Sequence, residues 1–125
     1  MSWLKFGKQR GASAREAPVS IREVTGSEEL MSALSEGPAV IYKHSNRCAL
    51  CFRTLKEVQK FARRHPEVPV LMIDVVKNRE VSDLVADKYH VVHQSPQALV
   101  IRDGMSVWEA SHLSVTAGEL EAAIA

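Results

Sequence analysis

The segment from Val68 to Val76 is a near-continuous apolar run, the pattern of a central strand buried on both faces. Such a strand has to be covered, and the chain supplies an amphipathic stretch on each side of it. Before it, Cys51, Leu55, Val58 and Ala62 recur at spacings of four, three and four, with Arg53, Lys56, Glu57, Lys60 and Arg63 between them. Arg63 and Arg64 sit in the last turn of that helix, and Pro66 ends it, as the helix dipole and the missing N–H require. After it, Val81, Leu84, Val85 and Tyr89 mark a second helix.

The same alternation extends outwards. Val19 to Val24 is rich in β-branched residues and reads as a first strand. Thr25-Gly26-Ser27-Glu28 has capping-box spacing, Leu30, Met31 and Leu34 follow as a helical stripe, and Gly37-Pro38 stops it. Ala39 to Lys43 is a short apolar strand. Beyond the central pair, Gln97 to Ile101 reads as a strand and Arg102-Asp103-Gly104 as a turn. Met105 to Ala110 is the hairpin partner, with Val107 and Trp108 facing opposite ways. Thr116-Ala117-Gly118-Glu119 is another capping box, and Leu120, Ala123 and Ile124 line the last helix. The order is β-α-β-α-β-α-β-β-α, the thioredoxin-like order of an α/β fold. Helices between strands imply parallel pairing with right-handed crossovers, and the closing hairpin is antiparallel, so a central mixed sheet flanked by helices is expected.

Length and charge bound what such a fold can do. The 125 residues make one domain, expected over residues 18–125 behind a flexible N-terminal arm over residues 1–17. Sixteen Lys and Arg against fifteen Asp and Glu leave a net charge of +1 without a like-charged block, which argues against nucleic acid as a partner. With 46% apolar and 25% charged residues the chain is ordinarily globular. Its longest unbroken apolar run, Cys48 to Phe52, is far below the roughly 20 residues of a membrane span. The arm has no sustained apolar stretch, so a cytoplasmic protein is expected without a membrane partner.

Chemistry is expected at the only two cysteines, Cys48 and Cys51. Two thiols three residues apart cannot staple a fold, but the spacing suits reversible redox chemistry or half of a metal site. Cys48 falls where a strand hands over to a helix, and free N–H groups and the dipole there favour a thiolate. Arg47, with Lys43 and His44 close by, is expected to lower its pKa further. Cys48 is then the exposed nucleophile, and Cys51, on the apolar stripe, is more buried and acts later. The alternative is a metal or iron–sulfur binding module: His44, Cys48 and Cys51 have plausible ligand spacing, with His93 or His112 as a fourth ligand. An iron–sulfur cluster would need ligands from a second chain or a small thiol.

Ser95-Pro96 precedes a strand where a thioredoxin-like fold places a cis-proline facing the active cysteine; the plain alternative is a trans proline opening an edge strand. His65 reads as a helix C-terminal cation and His90 as a surface residue at a helix end. His93 and His112 approach from the proline side, though packing or surface roles are the commoner fate of such residues.

From about Val19 onwards the chain resembles a bacilliredoxin of the YtxJ type. The resemblance is carried by Ile41-Tyr42-Lys43-His44-Ser45, the Arg47-Cys48 step, Ile73-Asp74-Val75-Val76-Lys77, Val81-Ser82, Ser95-Pro96-Gln97-Ala98-Leu99 and Trp108-Glu109-Ala110-Ser111-His112. It implies a thiol–disulfide oxidoreductase that removes bacillithiol from protein mixed disulfides. Its partners would be bacillithiolated proteins and bacillithiol, the latter a co-substrate, with no bound cofactor. The nucleophile position matches Cys48, and the proline loop, expected to bind substrate, matches Ser95 and Pro96. Many members look like Cys-Pro-x-Ser, whereas this chain has Ala49 and a second thiol, Cys51. A glutaredoxin would carry a Gly-Gly step after the proline strand, where this chain runs from Asp103-Gly104 straight into Met105-Ser106. A thioredoxin would carry Trp-Cys-Gly-Pro-Cys and a buried Asp where Tyr42 stands.

Overall fold

A computed structural model describes residues 21–35 and 37–125; the expected arm over residues 1–17 and the first residues of the first expected strand lie outside them. Five strands and four helices follow the expected order: β1 (Ile21–Glu23), α1 (Ser27–Leu34), β2 (Ala39–His44), α2 (Ala49–Arg64), β3 (Val70–Asp74), α3 (Arg79–Tyr89), β4 (Gln97–Arg102), β5 (Met105–Ser111) and α4 (Ala117–Ile124). A 3-10 turn, His112–Ser114, joins β5 to α4.

The strands form one sheet in the order β1-β3-β2-β4-β5, so β2 is its centre. Along β2 successive side chains enter different cores, as the two-residue period of a strand requires. Ala39 and Ile41 join Leu30, Leu71, Val85 and Leu99 in the core under α1 and α3. Val40 and Tyr42 join Val58, Phe61, Val100 and Leu120 in the core under α2 and α4. This two-sided burial is why β2 and β3 are apolar almost throughout.

One expectation is corrected. β1 and β2 pair with β3 in parallel, but β4 runs antiparallel to β2, with Lys43 opposite Gln97 and Ala39 opposite Ile101. The chain leaving α3 re-enters the sheet at the end where β2 finishes, so β4 points back. That reversal brings the Ser95–Pro96 step to the cysteine end of the sheet.

Local chemistry explains the element ends. β3 stops at Asp74 because its Oδ1 accepts the N–H groups of Val76 (2.9 Å) and Lys77 (3.0 Å), turning the chain towards α3. Asp103 (φ +54°) and Gly104 (φ +77°) both take left-handed backbone, the tight two-residue hairpin turn that Asp-Gly favours. Thr116 caps α4 as read, its Oγ1 accepting the Glu119 N–H at 3.1 Å. The first box is shifted by one residue. Extended Gly26 is the N-cap of α1, and the reaching carboxylate is that of Glu29, which accepts the Thr25 N–H at 3.2 Å.

Candidate active site

Cys48 is the N-cap residue of α2, with extended backbone (φ −119°, ψ 117°) and no side-chain cap. Its sulfur therefore meets N–H groups that a helix leaves unpaired in its first turn. The thiol pKa is lowered, chiefly by the Cys51 backbone N–H and then by the Cys51 thiol; partial burial opposes this, and the Leu50 N–H adds a smaller share. Cys51, one turn along, is fully buried. Burial is the main cause that pushes its thiol pKa up, with the Ser95 hydroxyl and the Ser45 backbone pulling the other way. The structure thus holds one half-exposed thiol readied for ionisation and one buried thiol kept protonated.

Ser95 lies against Cys51, and Pro96 follows it. The Ser95–Pro96 peptide bond is cis, and Ser95 Oγ is 3.6 Å from Cys51 Sγ. The Pro96 carbonyl accepts the His112 N–H at 2.9 Å, which ties the proline loop to the end of β5.

Behind Cys51 is a polar network in the α2 core. The fully buried Tyr42 hydroxyl donates to the Cys51 carbonyl (2.9 Å) and lies 2.8 Å from Thr54 Oγ1 and 3.2 Å from His44 Nδ1. Burial raises the Tyr42 pKa far above its usual value, so the phenol stays a donor. His44 Nε2 reaches Asn46 Oδ1 at 3.0 Å, and its ring meets Phe52 edge-on. Thr54 carries no signal in the sequence, since one polar residue on a helix face does not reveal which strand it meets.

The remaining expected site residues are dispersed. Arg47 is exposed, and its backbone N–H donates to Ser45 Oγ at 3.2 Å. Lys43 points to the other face of the sheet, where Nζ donates to the Ser82 carbonyl (3.0 Å) and to His93 Nδ1 (3.1 Å). His65 stacks on Phe61 and meets Glu121 at 3.0 Å; His90 is the left-handed C-cap of α3. His112 is exposed, with φ +56°. The metal alternative asked His44, Cys48 and Cys51 to converge with His93 or His112. Among the described residues no three His, Cys, Asp or Glu side chains are placed to hold a metal ion.

Comparison with known proteins agrees with this geometry. The family model described as monothiol bacilliredoxin BrxC matches residues 19–120. A solved structure described as an oxidoreductase with a thioredoxin fold is 22% identical, covers 85% of this chain and 95% of its own, and superposes with a TM-score of 0.80. Thioredoxin from Trypanosoma brucei brucei is 21% identical, with 88% and 92% of the two chains covered and a TM-score of 0.73. Thioredoxin from Fasciola hepatica is 25% identical, with 82% and 95% covered and a TM-score of 0.66. No helix of the described residues is long and apolar enough to cross a membrane. With its thioredoxin fold and a family match over most of its length, the chain belongs to the monothiol bacilliredoxins and is a thiol–disulfide oxidoreductase.

Proposed function

We propose that the protein removes bacillithiol from protein mixed disulfides, with Cys48 as nucleophile and Cys51 as the resolving thiol. The observation that carries this is the pairing at the start of α2: a half-exposed thiol with lowered pKa beside a buried thiol with raised pKa. In the first step the Cys48 thiolate attacks the bacillithiol sulfur. The mixed S–S bond breaks, the target protein leaves as its thiolate, and Cys48 becomes disulfide-bonded to bacillithiol. Cys51 then gives up its proton and attacks Cys48 Sγ, expelling bacillithiol thiolate and leaving a Cys48–Cys51 disulfide. A thiol reductant supplies the two electrons that restore the dithiol. In a monothiol cycle a second bacillithiol would instead attack the adduct. Ser95 and Pro96 line the approach, and extended substrate backbone is placed beside them in this reading.

Intact-mass analysis after exposure to a bacillithiol-loaded protein tests both steps, with a glutathione-loaded protein as control. Wild type is expected to free the target and end as the internal disulfide, two protons lighter. Cys51→Ser should free the target and retain the bacillithiol adduct, and Cys48→Ser should do neither. A wild type that accumulates the adduct is functionally monothiol, and equal rates on the glutathione control indicate a general disulfide reductase.

A further inference from the structure

Lys43 stands next to last in β2 and is fully buried, a place a lysine occupies only when its ammonium is satisfied. Its partners are the Ser82 carbonyl at 3.0 Å and His93 Nδ1 at 3.1 Å. An ammonium has no acceptor to offer, so Nδ1 must receive the bond and the imidazole proton must sit on Nε2. The Ser82 hydroxyl, 3.3 Å from the same Nδ1, is a second donor in agreement with that tautomer. Burial, and then the Lys43 charge, hold the imidazole pKa below its usual value, so the ring is neutral at pH 7.

His93 itself is exposed, and it precedes by two residues Ser95, whose hydroxyl touches Cys51 Sγ. Its loop is held on both sides. Gln97 Nε2 donates to the Val92 carbonyl at 2.9 Å, and Gln97 Oε1 accepts the Gln94 N–H at 3.4 Å. The loop that brings Ser95 to Cys51 therefore also carries one imidazole N–H donor, with the buried Lys43 ammonium behind it.

We propose that His93 binds a carboxylate of the small thiol in the mixed disulfide through Nε2–H, with Lys43 as the positioning residue that sets its tautomer. The proposal rests on the reading of Cys48 as the thiol that removes that small thiol. The carboxylate gains a charge-assisted hydrogen bond and the attraction of the Lys43 ammonium behind the ring.

The test uses one reporter protein loaded either with bacillithiol or with the same thiol after methyl esterification of its carboxylates. The readout is the ratio of kcat/KM for the two adducts. Wild type should favour the free-acid adduct by about tenfold, the usual worth of a hydrogen bond to a charged group. His93→Ala should bring the ratio to about one, and His93→Gln, whose amide N–H reaches the Nε2 position, should restore much of it. Nitrogen-15 shifts of His93 should report the Nε2–H tautomer in wild type and its loss in Lys43→Met. A ratio unchanged in His93→Ala, an equal slowing on both adducts, or an Nδ1–H tautomer in wild type overturns the proposal alone. A wild type that cleaves neither adduct overturns the Cys48 reading and this proposal with it.

Discussion

At Cys48 the helix start, more than any neighbouring side-chain charge, favours the thiolate. The groups that lower its pKa belong to the first turn of α2, whereas Arg47 beside it is exposed and screened by water. The two causes respond differently to salt, since a hydrogen bond survives 1 M salt and an exposed ion pair does not. The pH midpoint of Cys48 alkylation should therefore lie below that of an ordinary thiol and stay there at high salt. Arg47→Glu should raise it only slightly, and only at low salt. Alkylation at limiting reagent should label Cys48 well before Cys51. Tyr42 acts on the same turn from behind. Tyr42→Phe removes the 2.9 Å donor to the Cys51 carbonyl and should cost about 1–2 kcal/mol in a denaturant titration, while Cys48 still alkylates first.

At the level of elements, α4 is fastened to α2 by side chains that a helix-by-helix reading treats as solvated. Glu57 Oε1 accepts the Ala117 N–H at 3.0 Å, and Glu121 meets His65 at 3.0 Å and Arg64 at 3.4 Å. Glu57 thus supplies α4 with a second cap beside Thr116, and the Ala117 N–H is the chief cause of its lowered pKa. A carboxylate whose pKa is depressed by folding stabilises fully above its unfolded value, near 4.5, and that stability is lost as pH falls through the folded value. Glu57→Ala should cost about 0.5–2 kcal/mol at pH 7, as loss of a cap does. The deficit against wild type should shrink as a denaturant series is carried into acid. A deficit constant with pH would mean that the carboxylate contributes by packing alone.

Across the whole molecule the polar groups inside the sheet set the alkaline behaviour. Burial drops the Lys43 pKa from 10.5 to about 8, against a smaller opposing pull from Asp83. The unfolded chain therefore holds this proton more tightly, and stability rises with pH between those values. Relative to Lys43→Met, wild type should gain up to about 3 kcal/mol from pH 8 to 10.5, at 1.36 kcal/mol per unit. Thermal or urea unfolding of the pair across that range measures it, and parallel pH curves would show that the ammonium is solvated.

Element order, the two-sided burial of β3, the α2 stripe, the Asp103-Gly104 turn and the Thr116 cap were all legible along the chain, because each follows from the period or backbone preference of neighbouring residues. The cysteine pair at a helix start was legible for the same reason. What lay beyond it were relations across the sheet: the antiparallel sense of β4, Tyr42 under the Cys51 carbonyl, and Lys43 turned to His93 instead of to the thiols. Those depend on which strand end a loop returns to and which face a side chain enters. Local periodicity carries neither, so only the packed sheet decides them.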